Sequence, residues 1–315
     1  MAAPTIYRSD DGSAPVIDGT ASALRLALNA ILVDGYGAKA AAGWSKAYED
    51  AGNHLVVYQN AGHGRYLRLD DSATRLAEFR GYRSMSDVNT GVGPFPGVNV
   101  TTCNCRKSVS ADSTARPWIC LANERHFYLI IFGNQTTIGS FDGGDGHFAY
   151  GELDSSIPGD TFNSFLQGSF DTSLTSTTAT TARQAFNFNS SSITFSSSCY
   201  AEGSFAQAPL SSTIVVPLAN TPFSGNSGEA TFPSYPDPST GKLLIARKMA
   251  RMTHGGSTTV VNRGYMPGLW LLCHPEADVT TFDTFSGSGT LAGRTFLIVK
   301  TGAGAVVFET TDGSW

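Results

Sequence analysis

The sequence predicts an α+β fold that is mostly β: antiparallel sheet braced by one N-terminal amphipathic helix and joined by long polar loops. Three observations lead there. Only 15% of residues are charged while Gly, Ser, Thr, Phe and Tyr are abundant, the composition of a turn-rich strand protein. Short apolar or alternating runs bounded by glycine and aspartate recur along the chain. Against them stands one strong helical period, between Thr20 and Trp44.

In that stretch Leu24, Ala27, Leu28, Ile31 and Leu32 fall at i, i+3, i+4, i+7 and i+8, one apolar stripe on a helix. Thr20 and Ser22 are the candidate N-caps, since a hydroxyl there accepts from amides that the first turn leaves unpaired. Gly35 supplies a left-handed stop, and Gly37 and Gly43 punctuate the passage to Trp44. Ahead of the helix, Ile6-Tyr7-Arg8 and the turn Asp10-Asp11-Gly12 form an arm or edge strand, with Pro15 favouring an edge.

After the helix, Trp44 to Tyr48 is extended. His54 to Tyr58 and Tyr66 to Leu69 flank the turn Gly62-His63-Gly64 as a hairpin. Thr74 to Val88 is expected to be a strand followed by a short helical turn, and Gly91 to Gly97 a loop. Trp118 to Ala122 and His126 to Phe132 are the strongest strands, joined at Asn123-Glu124-Arg125. A glycine turn, Ser140 to His147, leads to a strand over Phe148 to Leu153. From Gly168 to Cys199 the chain is rich in Ser and Thr, and alternate positions of Phe186, Phe188, Ile193 and Phe195 favour weak strands. Residues 207 to 241 are proline-studded, and the last strands are Leu243 to Met249, Gly268 to Cys273, Thr295 to Lys300 and Ala305 to Glu309. This organises the chain as a helix-plus-sheet region (1–167), a Ser/Thr- and Pro-rich region (168–240) and C-terminal strands (241–315) that pack back onto the first.

A net charge of −5 and the lack of a dense Lys/Arg run argue against nucleic acid as a main partner. No apolar run reaches the ~18 residues of a membrane helix, and Met1-Ala-Ala-Pro4 has none of the charged-then-apolar pattern of a signal peptide, so a soluble protein made in a cytoplasm is expected. Five cysteines, an odd number, fit reduced thiols better than a disulfide framework.

The motifs give little chemistry. Cys103-Asn-Cys105 with Cys120 and His126 is the nearest approach to a metal set, but one intervening residue is an awkward bite for two thiolates, and buried cysteines are the simpler outcome. Phe141-Asp-Gly-Gly-Asp-Gly-His147 offers oxygen ligands to calcium without the ligand count or closing glutamate of an EF-hand, so a tight turn is expected. Ser286 sits in a glycine-rich loop, no G-x-S-x-G elbow is present, and His274 and Glu276, flanking Pro275, could act together as acid and base, with a loop leaving a buried strand the simpler reading. No catalytic residue, metal ligand or cofactor site is assigned. Trp44, Trp270, Trp315 and Tyr36 are the residues best suited to anchor an interface.

Several blocks taken together carry a resemblance. They are Ile6–Pro15, Asp34–Trp44, Tyr66–Asp70, Arg80–Tyr82, Thr114–Trp118, Phe127–Leu129, Pro267–Trp270, Asp283–Gly287, Leu291–Phe296 and the final Trp315. In these blocks, which span most of the chain outside 168–240, the sequence resembles a family of virion structural proteins of tailed bacteriophages. The resemblance implies a non-enzymatic particle component present in many copies. It would be made in the host bacterial cytoplasm, with other virion proteins and its own copies as partners and no membrane or nucleic acid. Tail, baseplate or tip is the expected place, with capsid decoration or neck as the alternative. A receptor- or glycan-binding module using exposed aromatics and the Ser/Thr-rich region is the expectation from a different class, and a depolymerase acting through His274 and Glu276 is a third.

Overall fold

The computed structural model describes residues 2–95, 103–138, 145–169, 197–201, 243–253, 260–272, 279–300, 305–311 and 313–315. These are mostly antiparallel strand with a single short α-helix, as the composition predicts. In chain order the strands are β1 (Thr5–Arg8), β2 (Ser45–Asp50), β3 (Leu55–Gln59), β4 (Tyr66–Asp70), β5 (Leu76–Tyr82), β6 (Ser84–Met85), β7 (Gly91–Val92), β8 (Cys103–Arg106), β9 (Trp118–Ala122) and β10 (Phe127–Ile131). They continue with β11 (Gly146–Glu152), β12 (Asp154–Ser155), β13 (Ser164–Ser169), β14 (Ser197–Ala201), β15 (Ile245–Thr253), β16 (Val260–Leu272), β17 (Thr284–Ser286), β18 (Thr295–Lys300) and β19 (Ala305–Glu309).

An 11-stranded sheet runs β1-β9-β10-β11-β13-β8-β5-β4-β3-β2, with β14 also on β13. A second sheet of six runs β12-β16-β19-β18-β17, with β15 on β16. The continuous apolar runs in β9 and β10 have a physical reason: both faces are covered. Trp118, Cys120 and Ala122 pair in register with Ile131, Leu129 and Phe127, and all six enter the core shared with the helix. Ile119 and Leu121 pair with Ile130 and Tyr128 and point the other way, into a core shared with Leu269, Leu297, Val299, Val306 and Phe308 of the second sheet. Strands β4 and β5 alternate buried and half-buried residues instead, because only one of their faces has a full cover.

The helical stretch is where the sequence places it, and its form differs. Helix α1 (Ala23–Leu28) gives way to a π-helical stretch, Asn29–Asp34. Leu24, Ala27, Leu28, Ile31 and Leu32 are all fully buried on the sheet, so the stripe survives the change of pitch. Ile31 and Leu32 carbonyls accept from the amides of Ala42 (2.9 Å) and Trp44 (3.0 Å), and this onward bonding satisfies acceptors that a helix end leaves open. Gly35 has φ 78°, as a glycine stop requires, but ψ 169° rather than a left-handed helical value.

Two further expectations are corrected. The segment after β5 is no helical turn: Ser84–Met85 pairs with Gly91–Val92 as a two-residue ladder, so the glycine- and proline-rich run begins as strand. Residues 96 and 97 of that run lie outside the described residues, as do most of the Ser/Thr-rich stretch with its four apolar positions and the proline-studded 207–241.

The aromatic residues offered as interface anchors are placed inward. Trp44 is buried, donates from Nε1 to Asn123 O (2.7 Å), and meets Phe127 and Tyr150 edge-on. Trp315 donates to Glu309 O (2.7 Å) and stands edge-on to Tyr128. It lies over Gly268, where φ is 69° and a Cβ would come within 2.2 Å of the indole. Trp270 packs edge-on to Phe296 on the far face of the second sheet. Trp270 is turned inward by its place in β16, and Trp44 and Trp315 by their indole hydrogen bonds to backbone carbonyls, so the described chain uses all three for its own packing. Tyr36 is half-buried and donates to Asp11 Oδ2 (2.9 Å).

Candidate functional site

A buried group of ionisable side chains gathers at the start of α1. Its centre is Asp71, the residue after β4. The carboxylate is fully buried and takes the Nζ of Lys107, which is equally buried. Lys107 donates as well to Thr20 O (2.6 Å) and Ala73 O (3.0 Å), so all three ammonium protons have acceptors. Asp71 Oδ2 accepts from the Arg25 amide (2.9 Å). The cap of α1 therefore comes from a strand end 46 residues away, in place of the expected Thr20 or Ser22 hydroxyl. Thr20 is held by Asp18, whose Oδ1 takes both its amide and its hydroxyl. Burial lifts the Asp71 carboxyl above the ordinary range, against the pull of Lys107 and the helix amides.

The backbone here is unusual. Ser22, His54 and Arg75 have φ of 70°, 61° and 66°, three of the five non-glycine residues with positive φ among those described. Each is bonded into the Asp71–Lys107 neighbourhood. Ser22 N donates to Asp71 O (3.0 Å), Asp71 N donates to His54 O (3.1 Å), and Lys107 N donates to Arg75 O (2.7 Å). Such conformations persist only where the surroundings over-determine them. The Ser22 hydroxyl is 2.5 Å from His54 Nδ1 and makes no cap bond to the helix.

One turn along, the Arg25 guanidinium pairs with Glu49 of β2, and Lys46 reaches the same carboxylate (2.5 Å). Lys46 is the main reason that the Glu49 carboxyl lies below its usual range. Tyr58 donates to Asn29 Oδ1 (2.8 Å) from a fully buried position, and burial pushes its hydroxyl well above the usual tyrosine range. The helix is thus tied to the sheet by charge and hydrogen bonds as well as by its apolar stripe.

The residues singled out from sequence are dispersed. Cys103, Cys105 and Cys120 are buried thiols outside any disulfide that face the helix-side core, and burial pushes the thiols of Cys105 and Cys120 up. Low thiolate character makes Cys105 and Cys120 poor nucleophiles. No group of three or more metal-ligating side chains occurs among the described residues. Ser286 lies in the edge strand β17. The acidic glycine loop is described only from residue 145, and His274 and Glu276 lie outside the described residues.

His126 is buried and donates from Nε2 to Glu152 O (2.8 Å). Burial pushes its imidazole down to about 4. Between the ordinary histidine value of 6.5 and about 4, the unfolded chain takes up a proton that the folded imidazole refuses. Stability should therefore be fully present above pH 6.5 and fall as pH drops through this window, by about 3 kcal/mol from this group. Urea midpoints at pH 7 and pH 4 should converge in His126→Gln relative to the unsubstituted chain; an unchanged difference contradicts the assignment.

A second feature is an open groove of about 500 Å³ where β1, the segment before β9 and the loop before β17 meet. Arg8 lies over the Phe282 ring (4.5 Å) and forks onto Asp10 (2.7 and 2.8 Å). Arg116, also lining the groove, donates to Ser108 (2.9 Å) and Ser110 (2.7 Å). Both guanidinium groups thus have partners within the chain.

No protein-family model matches the chain, and no curated protein is similar to it. The polar group at the start of α1 is not legible in the sequence because its bonded members lie 32 to 87 residues apart. The only local signal was Asp70-Asp71 closing an alternating strand, where the second carboxylate takes an inward position.

Proposed function

We propose that the chain is a non-enzymatic structural component of a tailed-bacteriophage virion. It assembles in several copies in the tail or its baseplate or tip, beside other virion proteins. One observation carries this: the blocks that resemble the phage family bond to one another. Tyr7 donates to Ala40 O (2.8 Å), Tyr36 to Asp11 Oδ2 (2.9 Å) and Trp118 Nε1 to Pro15 O (3.1 Å). Tyr128 donates to Pro267 O (2.7 Å), Gly287 N to Arg294 O (2.8 Å), and Trp315 covers Gly268. What the resemblance shares is then a framework, which suits a part that works by shape and self-association rather than by chemistry.

Quantitative mass spectrometry of density-purified particles tests this. The chain should co-purify at several copies per particle, in fixed ratio to the major virion proteins; its loss on purification contradicts the proposal. A second reading, a glycan-binding module, is supported by the groove, where the Phe282 ring lies beside paired charges and Thr136 and Thr137. Binding of the isolated chain to a glycan array, abolished by Phe282→Ala, would favour that reading.

A further inference from the structure

We propose that Ser22 and His54 form a nucleophile–base pair, and that Ser22 takes an acyl group from an activated ester. A serine at a helix start ordinarily gives its oxygen to the first-turn amides. Here Asp71 holds the Arg25 amide, and the Ser22 hydroxyl lies 2.5 Å from His54 Nδ1, to which it donates when the imidazole carries its proton on Nε2. This is the contact by which a histidine activates a hydroxyl.

Three further observations bear on reactivity. Both residues have positive φ, and the backbone of one residue, Asp71, bonds to both, so the two Cα positions are held beside each other. Arg25 Nη2 lies 3.4 Å from Ser22 Oγ, close enough for its charge to favour the oxyanion of an adduct. Both residues are half-buried, so a small reagent has access to them.

In the step itself, Ser22 Oγ bonds to the ester carbonyl carbon while its proton passes to His54 Nδ1. The tetrahedral adduct then collapses, the bond to the leaving alcohol breaks, and His54 returns the proton to that alcohol. The products are O-acyl-Ser22 and free alcohol. The inference stands apart from the particle assignment, since it concerns one serine and asks for no turnover.

The test uses p-nitrophenyl acetate on the full chain, with acetylation mapped by mass spectrometry. Ser22 should be acetylated about a hundredfold faster than the exposed Ser45 and Ser86, the gain expected of a positioned base. His54→Gln should lose about that factor, with its urea midpoint measured alongside. Acetylation of Ser22 at the rate of Ser45 and Ser86 in the unsubstituted chain overturns the proposal whether or not the variant folds. Undiminished acetylation in a folded His54→Gln chain overturns it too.

Discussion

Lys107→Met is expected to cost about 3–5 kcal/mol, because it leaves the Asp71 carboxylate buried without its counter-charge. That is a large share of the roughly 5–15 kcal/mol that holds a typical domain folded. The urea midpoint should fall sharply. It should recover in large part in a Lys107→Met, Asp71→Asn double variant, where no buried charge remains and the amide oxygen still accepts from the helix. A single variant as stable as the original would show that the pair contributes nothing to holding α1 on the sheet. Full additivity of the two substitutions would show that the two groups act independently.

Leu28→Asp should unfold the chain at room temperature. Leu28 is fully buried between α1 and the large sheet, among side chains that include Leu24, Ile31 and Val56. A carboxylate there has no partner, and burying it costs several kcal/mol beyond the lost apolar contact. Two positions away, Leu26 is 55% exposed, so Leu26→Asp should change stability by no more than about 0.5 kcal/mol. Circular dichroism melts of the two variants make the comparison. An unchanged melt for Leu28→Asp would mean that the stripe faces solvent or a second subunit in solution.

The parts of the fold legible in the sequence are those set by short-range periodicity. The Leu24–Leu32 stripe, the β3–β4 hairpin and the apolar runs of β9 and β10 each state their environment within a dozen residues. β8 was not legible, since the alternation in Cys103-Asn-Cys-Arg106 is only four residues long and carries no large apolar side chain, and all four residues are buried by partners on distant strands. The helix's π-helical second half was equally silent, because Leu24, Ala27, Leu28, Ile31 and Leu32 share a face in either pitch. For the polar group, local rules predicted the wrong cap: a serine at a helix start is the best local candidate, and a carboxylate delivered from β4 displaced it. Displacement of that serine is also what places its hydroxyl against His54.

Cryo-microscopy of the intact particle tests the structural assignment most directly. A map should contain symmetry-related copies of an 11-stranded sheet carrying the helix on one face and the six-stranded sheet on the other. Density at the tail, baseplate or tip is the predicted result, and density on the capsid or neck would move the assignment within the particle. A fully interpreted map with no such density would contradict it.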